Sequence, residues 1–185
     1  MFRKSMFRKS ILAAVFAMAA VPALAGGFTL TSPDMGDGRT MPERHVLSGF
    51  GCTGGNVSPA LVWDGVPAGT KSFAVTAYDP DAPTGSGWWH WVVFNLPAGA
   101  RGLPAGAGSG GALPAGAVQS RTDFGAPGYG GPCPPAGAPH RYVFTVHALD
   151  VETLPLDAQA SAAMVGFMAH SHSLGQASLT TLYSR

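Results

Sequence analysis

The run Trp88-Trp89-His90-Trp91-Val92-Val93-Phe94 constrains the fold of this chain more than any other segment. It is rich in aromatic and β-branched residues, and its only strongly polar side chain is a histidine, which predicts a strand covered on both faces. The segment Asp79-Pro80-Asp81-Ala82-Pro83 precedes it by a short turn. Two carboxylates and a histidine near one end of a buried strand form a candidate ligand-binding or catalytic site.

Further strand signals lie on both sides of this run, and helix signals lie only near the C-terminus. Asp157 is interpreted as the N-cap of a helix over Ala158–Phe167, followed by a short helical turn over 169–174. The segment 98–116 is almost entirely Gly, Ala, Pro, Ser and Leu, which predicts a long surface loop. The sequence therefore predicts a mostly antiparallel β domain with one or two C-terminal helices. The strands are expected at 28–31, 60–63, 71–78, 88–96, 141–149 and 177–183.

The first 25 residues have the pattern of a cleaved signal peptide. Basic residues lie within 1–9, an apolar stretch covers 11–24, and Ala23-Leu24-Ala25 supplies small residues at a cleavage site. A single-pass anchor is the alternative, although the apolar segment is short for a membrane span. We expect a single domain over residues 26–185 that is periplasmic or secreted, with no integral membrane segment after cleavage.

The charge balance of that domain excludes one class of partner. Four of the 11 basic residues lie in the predicted signal peptide, so seven remain against ten acidic residues. A chain with a small net negative charge lacks the basic surface that nucleic acids and anionic membranes require.

Cys52 and Cys133 are the two cysteines of the chain. In an exported protein a lone pair of cysteines is most simply interpreted as one disulfide. Two free buried thiols, or half of a metal site, are the alternatives.

A second segment carries candidate site residues. Tyr129 to Tyr142 is a Gly/Pro-rich loop that leads directly into His140 and a strand. Such a loop frees backbone N–H groups and lets a ligand approach closely. Taken alone, however, His140 would more often be a structural histidine.

Together these segments resemble the phosphatidylethanolamine-binding protein family, which includes the Raf kinase inhibitor proteins, and in particular its bacterial YbhB/YbcL-like branch. The resemblance covers nearly the whole predicted mature chain. It rests on four motifs in order: Asn56-x-Ser58-Pro59-Ala60-Leu61-x-Trp63, Tyr78-Asp79-Pro80-Asp81-Ala82-Pro83, Trp89-His90-Trp91-Val92-Val93-x-Asn95 and Pro134-Pro135-x-Gly137-x-x-His140-Arg141-Tyr142.

The resemblance implies a two-sheet antiparallel β fold with a small pocket at one end that binds phosphate-like anions, including the phosphoethanolamine head group. The family's glycine-x-glycine loop becomes Gly131-Pro132-Cys133 here, so Cys133 is expected to reshape one wall of the pocket. The implied ligand-binding residues are Asp79, Asp81, Pro83, His90, Pro135, His140 and Tyr142.

The chemistry of these residues is consistent with an anion. His90 and His140 can donate hydrogen bonds to an anionic oxygen, and a nearby aspartate favours the protonated ring. Two carboxylates repel a dianion, however, so we expect weak binding, with a free energy of about −4 to −6 kcal/mol.

Other functions remain open at this point. The Asp/His set suits a weak hydrolase or a divalent metal, although no activated nucleophile is recognisable and we predict no metal and no cofactor. The protein is instead a candidate regulator, or an inhibitor of an extracytoplasmic protease or a host protein through its surface. A homodimer is also open.

Overall fold

The computed structural model describes Met1 and residues 27–185. The predicted signal peptide over 1–25 therefore lies outside the described residues, except for Met1. Within the described part, two sheets form the main layers. The larger has five strands in the order β10-β9-β5-β6-β8, and its neighbours are all antiparallel. Its strands are β5 (Ser72–Asp79), β6 (Trp88–Pro97), β8 (Val118–Gln119), β9 (His140–Leu149) and β10 (Ser173–Tyr183).

The smaller elements complete the fold. A three-stranded antiparallel sheet has the order β1-β4-β7, and a two-stranded ribbon pairs β2 with β3. The ribbon is a third sheet that the two-sheet expectation left out. The bounds are β1 (Thr29–Thr31), β2 (Ser48–Gly49), β3 (Cys52–Thr53), β4 (Leu61–Asp64), β7 (Gly102–Leu103), a 3₁₀ turn (Glu43–His45) and α1 (Ala162–Ser171).

The central strands are apolar because both faces of the large sheet are covered. Phe73, Val75 and Trp91 belong to the main core, which also contains Trp63 of the three-stranded sheet. Residues of β5 and β6 on the opposite face, with Val165 of α1, form a second core. The predicted mostly β fold is confirmed, and so are the six predicted strands as β1, β4, β5, β6, β9 and β10.

The helix begins later than the sequence analysis predicted. Ser161, not Asp157, is the N-cap, and its side chain accepts a hydrogen bond from Met164 N at 3.2 Å. Asp157 instead closes a turn by accepting from Gln159 N at 2.8 Å. Both residues carry a side-chain oxygen suited to capping, and Ala162, the residue after Ser161, is the first helical residue buried in the second core. The predicted turn over 169–174 is the end of this helix and the start of β10.

The segment 98–116 is more than a surface loop, contrary to the sequence prediction. It contains β7, and both Leu103 and Ala107 are buried. Gly108 packs directly on an aromatic ring, since a Cβ at this position would lie 2.6 Å from Trp91 Cε2. The small residues of this segment therefore let its backbone pack closely on the core, so the segment is not a free surface loop.

Candidate functional site

A cavity of about 180 Å³ opens where three strands of the large sheet end or begin. Asp79 is the last residue of β5, and it pairs with Trp88, the first residue of β6. His140 begins β9, which is antiparallel to β5, so its side chain reaches the same end of the sheet. Six of the seven residues implied by the resemblance line the cavity: Asp79, Pro83, His90, Pro135, His140 and Tyr142.

A β-bulge in β6 turns His90 into this cavity. Regular alternation would place His90 on the same face as Val92, which packs in the second core on the helix side. The pairing of β5 with β6 instead shifts between Ala77↔Trp91 and Tyr78↔Trp89, which leaves His90 as an extra residue. Its ring therefore lies on the side of the main core, with its centroid 5.1 Å from that of Tyr142. Bulges commonly redirect a side chain next to functional sites.

The tautomer of His90 follows from its partner. His90 Nδ1 lies 2.7 Å from Gly130 O, and because a carbonyl oxygen only accepts, Nδ1 carries the proton. Nε2 is then the ring nitrogen left for a ligand. Burial lowers the pKa of His90 below its ordinary value, and the Gly130 carbonyl opposes that effect only in part. His90 is consequently neutral near pH 7 when no ligand is bound.

Asp79 and His140 form a buried pair. His140 Nδ1 donates to Asp79 Oδ2 at 2.8 Å, and the side chains are only 13% and 4% exposed. The other oxygen of Asp79 accepts from Asp81 N at 2.8 Å. Both carboxylate oxygens thus have partners within the fold, and the Nε2 atom of His140 is left for a ligand. Asp79 therefore acts as a positioning residue for His140.

Asp81 does not line the cavity. Arg141 binds its carboxylate through two side-chain nitrogens, Nε at 2.9 Å and Nη2 at 2.7 Å, and the backbone N of Arg141 donates to it as well. These bonds lower the pKa of Asp81 to about 2, with the Arg141 side chain as the main cause. The second carboxylate of the motif therefore joins the β5–β6 turn to β9.

Tyr142 supplies a buried polar atom without a partner. Its Oη is inaccessible to solvent and makes no hydrogen bond to any residue in the described part of the chain. Burial raises its pKa most, and the negative charge of Asp79 and a side-chain interaction with the same carboxylate raise the pKa further, so the hydroxyl stays protonated. Buried hydroxyls nearly always have a partner in folded proteins. Because Oη is inaccessible to solvent, a ligand oxygen does not reach it either, and the Asp79 carboxylate is the nearby acceptor that acts on it.

A disulfide between Cys52 and Cys133 closes one wall, which confirms the predicted pairing. It connects β3 to the Gly/Pro-rich loop, and Cys133 itself lines the cavity.

The sequence analysis missed Phe50 and Phe124, two further wall residues. The signal for Phe50 is a large apolar side chain between two glycines beside a cysteine, a pattern typical of an exposed turn tip held by a bridge.

The described residues around the cavity form no cluster of metal ligands. Within residues 27–185 no group of three or more His, Cys, Asp or Glu side chains is arranged to hold a metal ion. None of the described helices is both long and apolar enough to span a bilayer.

Comparison with known proteins places this geometry in a family. The family described as phosphatidylethanolamine-binding protein matches residues 31–184. The chain belongs to the phosphatidylethanolamine-binding protein family. This match includes all three strands whose ends form the cavity.

The chain matches two of its relatives over nearly their whole length. UPF0098 protein YbhB of Escherichia coli K12 is 62% identical over 156 residues, which are 84% of this chain and 99% of the relative. The crystal structure of E. coli YbcL, described as a new member of the mammalian PEBP family, superposes with a TM-score of 0.85 at 53% identity and covers 86% of this chain and 99% of that one. A putative lipoprotein, LppC of Mycobacterium tuberculosis, is 39% identical over 66% of this chain and 56% of its own length.

Proposed function

We propose that the protein is an exported binding protein whose cavity takes phosphate-like or phosphoethanolamine-type groups, and that it regulates another protein. The observation that carries this proposal is the pair of histidines that line the cavity, because His90 and His140 each use Nδ1 within the fold and leave Nε2 for a ligand. Two ring nitrogens that can each accept or donate a hydrogen bond favour a ligand rich in oxygens.

The two histidines can contact a phosphate group in either protonation state. Both use Nδ1 within the fold, so both leave Nε2 for the ligand. A neutral ring accepts a hydrogen bond from a P–OH group, whereas a protonated ring donates to a phosphate oxygen with charge assistance. The site therefore suits a group that exchanges its own proton near neutral pH, as phosphate monoesters do with a second pKa of about 6.

The site repels an anion less strongly than the Asp-x-Asp motif predicts. Arg141 neutralises Asp81 outside the cavity, and both oxygens of Asp79 already accept hydrogen bonds. None of the described lysines and arginines lines the cavity, so we expect binding to depend on hydrogen bonds and the histidines. Affinity in the millimolar to high micromolar range is expected, or about −4 to −6 kcal/mol.

Export is supported by two observations. The disulfide between Cys52 and Cys133 is of a kind that persists in oxidising compartments. One relative also carries the name of a putative lipoprotein. We place the protein in the periplasm or outside the cell on these grounds.

The test is calorimetric titration of oxidised residues 26–185 with inorganic phosphate and, separately, with O-phosphoethanolamine. The matched variants are His140→Gln and His172→Gln, because His172 Nδ1 also lies on an aspartate, Asp150, at 3.0 Å but outside the cavity. Saturable binding that is lost in His140→Gln and kept in His172→Gln supports the site. Equal affinity in both variants, or no heat from either ligand, overturns it.

A hydrolase is the second candidate, and the Asp79–His140 pair favours it. A carboxylate on Nδ1 orients an imidazole so that Nε2 can remove a proton from water. Release of phosphate from a monoester by the wild type, lost in His140→Gln, would establish that activity. Binding without turnover would leave the cavity as a binding site alone.

A further inference from the structure

Three aromatic side chains extend the cavity from its polar floor to the protein surface. We call Phe50, Trp88 and Phe124 the aromatic rim; all three line the cavity. Phe50 and Phe124 stack with their centroids 6.0 Å apart and their planes at 20°, whereas Trp88 meets Phe124 edge-on at 5.5 Å. The rim thus presents flat apolar surfaces beside the polar groups.

The rim is continuous with the proposed anion site. Phe124 contacts His90 edge to face, with ring centroids 5.4 Å apart. A ligand oxygen bound at His90 Nε2 would therefore place the rest of the ligand next to Phe124. At about 30 Å³ per water, the cavity has room for on the order of six waters, more than the four oxygens of a phosphate. Space remains for an organic group.

The backbone at Phe50 is unusual for a bulky residue. Its φ is +51°, in the left-handed region that glycine adopts freely and that other bulky residues avoid. Gly49 and Gly51 flank it, and the side chain is 74% exposed. Costly backbone conformations of this kind concentrate at ligand sites, where the surrounding structure imposes them.

Two contacts hold the turn that carries Phe50. The β2–β3 ribbon is bridged to the cavity wall through Cys52 and Cys133, and Arg185 Nη1 donates to Phe50 O at 3.3 Å. A large exposed apolar side chain is thus fixed at the mouth of the cavity rather than buried in a core. Such a position is typical of a contact residue for a ligand.

We infer that the aromatic rim binds a flat apolar group of a phosphate ester whose phosphate occupies the polar end of the cavity. This inference rests on the proposed anion site and specifies its substrate class. Ring faces at these angles favour stacked and edge-on contacts with a planar substituent. Phosphoethanolamine would meet the rim with its ammonium group alone, through a cation–π contact that needs no planar substituent.

The test compares phenyl phosphate, inorganic phosphate and phenol by calorimetric titration of the oxidised wild type, Phe50→Ala and Phe167→Ala. Phe167 is the matched control, because it is 66% exposed on α1 and does not line the cavity. We expect the wild type to bind phenyl phosphate about tenfold or more tightly than phosphate. Phe50→Ala should reduce that ratio several-fold, and Phe167→Ala should leave it unchanged.

The three ligands separate the two possible failures. Phosphate binding with a phenyl-to-phosphate ratio near one overturns the rim and leaves the anion site standing. Binding of phenol that depends on Phe50, without any phosphate binding, overturns the anion site and the phosphate-ester class with it. A ratio that falls equally in Phe50→Ala and Phe167→Ala also overturns the assignment, since the effect would not belong to the rim.

Discussion

Replacing Tyr142 with phenylalanine should leave phosphate affinity unchanged and should not lower stability. The substitution removes a buried oxygen that has no partner within the described residues and leaves the ring in place. Relief of an unsatisfied hydroxyl is worth about 1–3 kcal/mol, so the free energy of unfolding should rise or stay constant. Because Oη is closed to solvent, a ligand oxygen does not reach it either. The affinity for phosphate should therefore stay within about twofold of the wild-type value.

Tyr129→Phe is the control for this prediction. Tyr129 is also buried, but its Oη donates to His45 O at 2.8 Å, and the residue does not line the cavity. Its loss should lower the free energy of unfolding by about 1–3 kcal/mol and leave phosphate affinity intact. Thermal melts, in which 1 kcal/mol shifts Tm by about 2–4 °C, and calorimetric titration measure both quantities.

Two results would refute the reasoning. A phosphate affinity about tenfold lower or more in Tyr142→Phe would show that Oη does reach the ligand. A loss of stability in Tyr142→Phe equal to that in Tyr129→Phe would show that Oη has a partner inside the fold. Either result would reassign the Tyr142 hydroxyl and leave in place the two histidines on which the proposed function depends.

Three further predictions concern stability. The Cys52–Cys133 disulfide closes a loop over 81 positions, so its reduction should lower the free energy of unfolding by about 4 kcal/mol through loop entropy. The loss should appear as a lower Tm in the presence of reductant, and an unchanged Tm would contradict it. Burial lowers the pKa of His147 in the folded protein to about 4, below the value near 6.5 that it has in the unfolded chain. The fold therefore keeps its full stability above pH 6.5 and loses part of it as the pH falls towards 4. Up to about 3 kcal/mol should be lost as the pH falls from 6.5 to 4, and His147→Asn should flatten chemical-denaturation profiles over that window. His90→Ala should lower Tm as well as binding, because Gly130 O loses its donor; an unaltered Tm would count against that bond.

The strands and most of the cavity were predictable from local sequence. Alternating or continuous apolar runs fixed the six longer strands, because burial on one or both faces leaves a direct pattern. Asp79 and His140 lie at the ends of two such strands, so their proximity follows once β5 and β9 are adjacent. The four two-residue strands, β2, β3, β7 and β8, carry too few residues to show any periodicity.

The orientation of His90 could not be read from alternation. The pattern of β6 assigns His90 to the helix side, and only the inserted residue of the bulge moves it into the cavity. A bulge depends on pairing with β5, which is a long-range property. Phe50 was missed for a related reason, because its position depends on a disulfide between residues 81 apart.

The Asp-x-Asp motif shows how tertiary pairing reverses an electrostatic expectation. From sequence, two carboxylates beside two histidines predict repulsion of a dianion. In the fold, Arg141 follows His140 directly, so the strand that brings His140 to Asp79 also brings the guanidinium to Asp81. The half-buried Asp81 carboxylate is neutralised by Arg141, and this ion pair connects β9 to the turn between β5 and β6. Asp79 alone faces the cavity, with both oxygens occupied. The charge that an incoming anion meets is therefore set largely by the protonation of the histidines, and buried His90 is neutral near pH 7. Lower pH should strengthen phosphate binding near neutral pH, as the phosphate gains a proton that neutral His90 Nε2 accepts, and again below the ordinary range for histidine, as His90 itself takes up a proton.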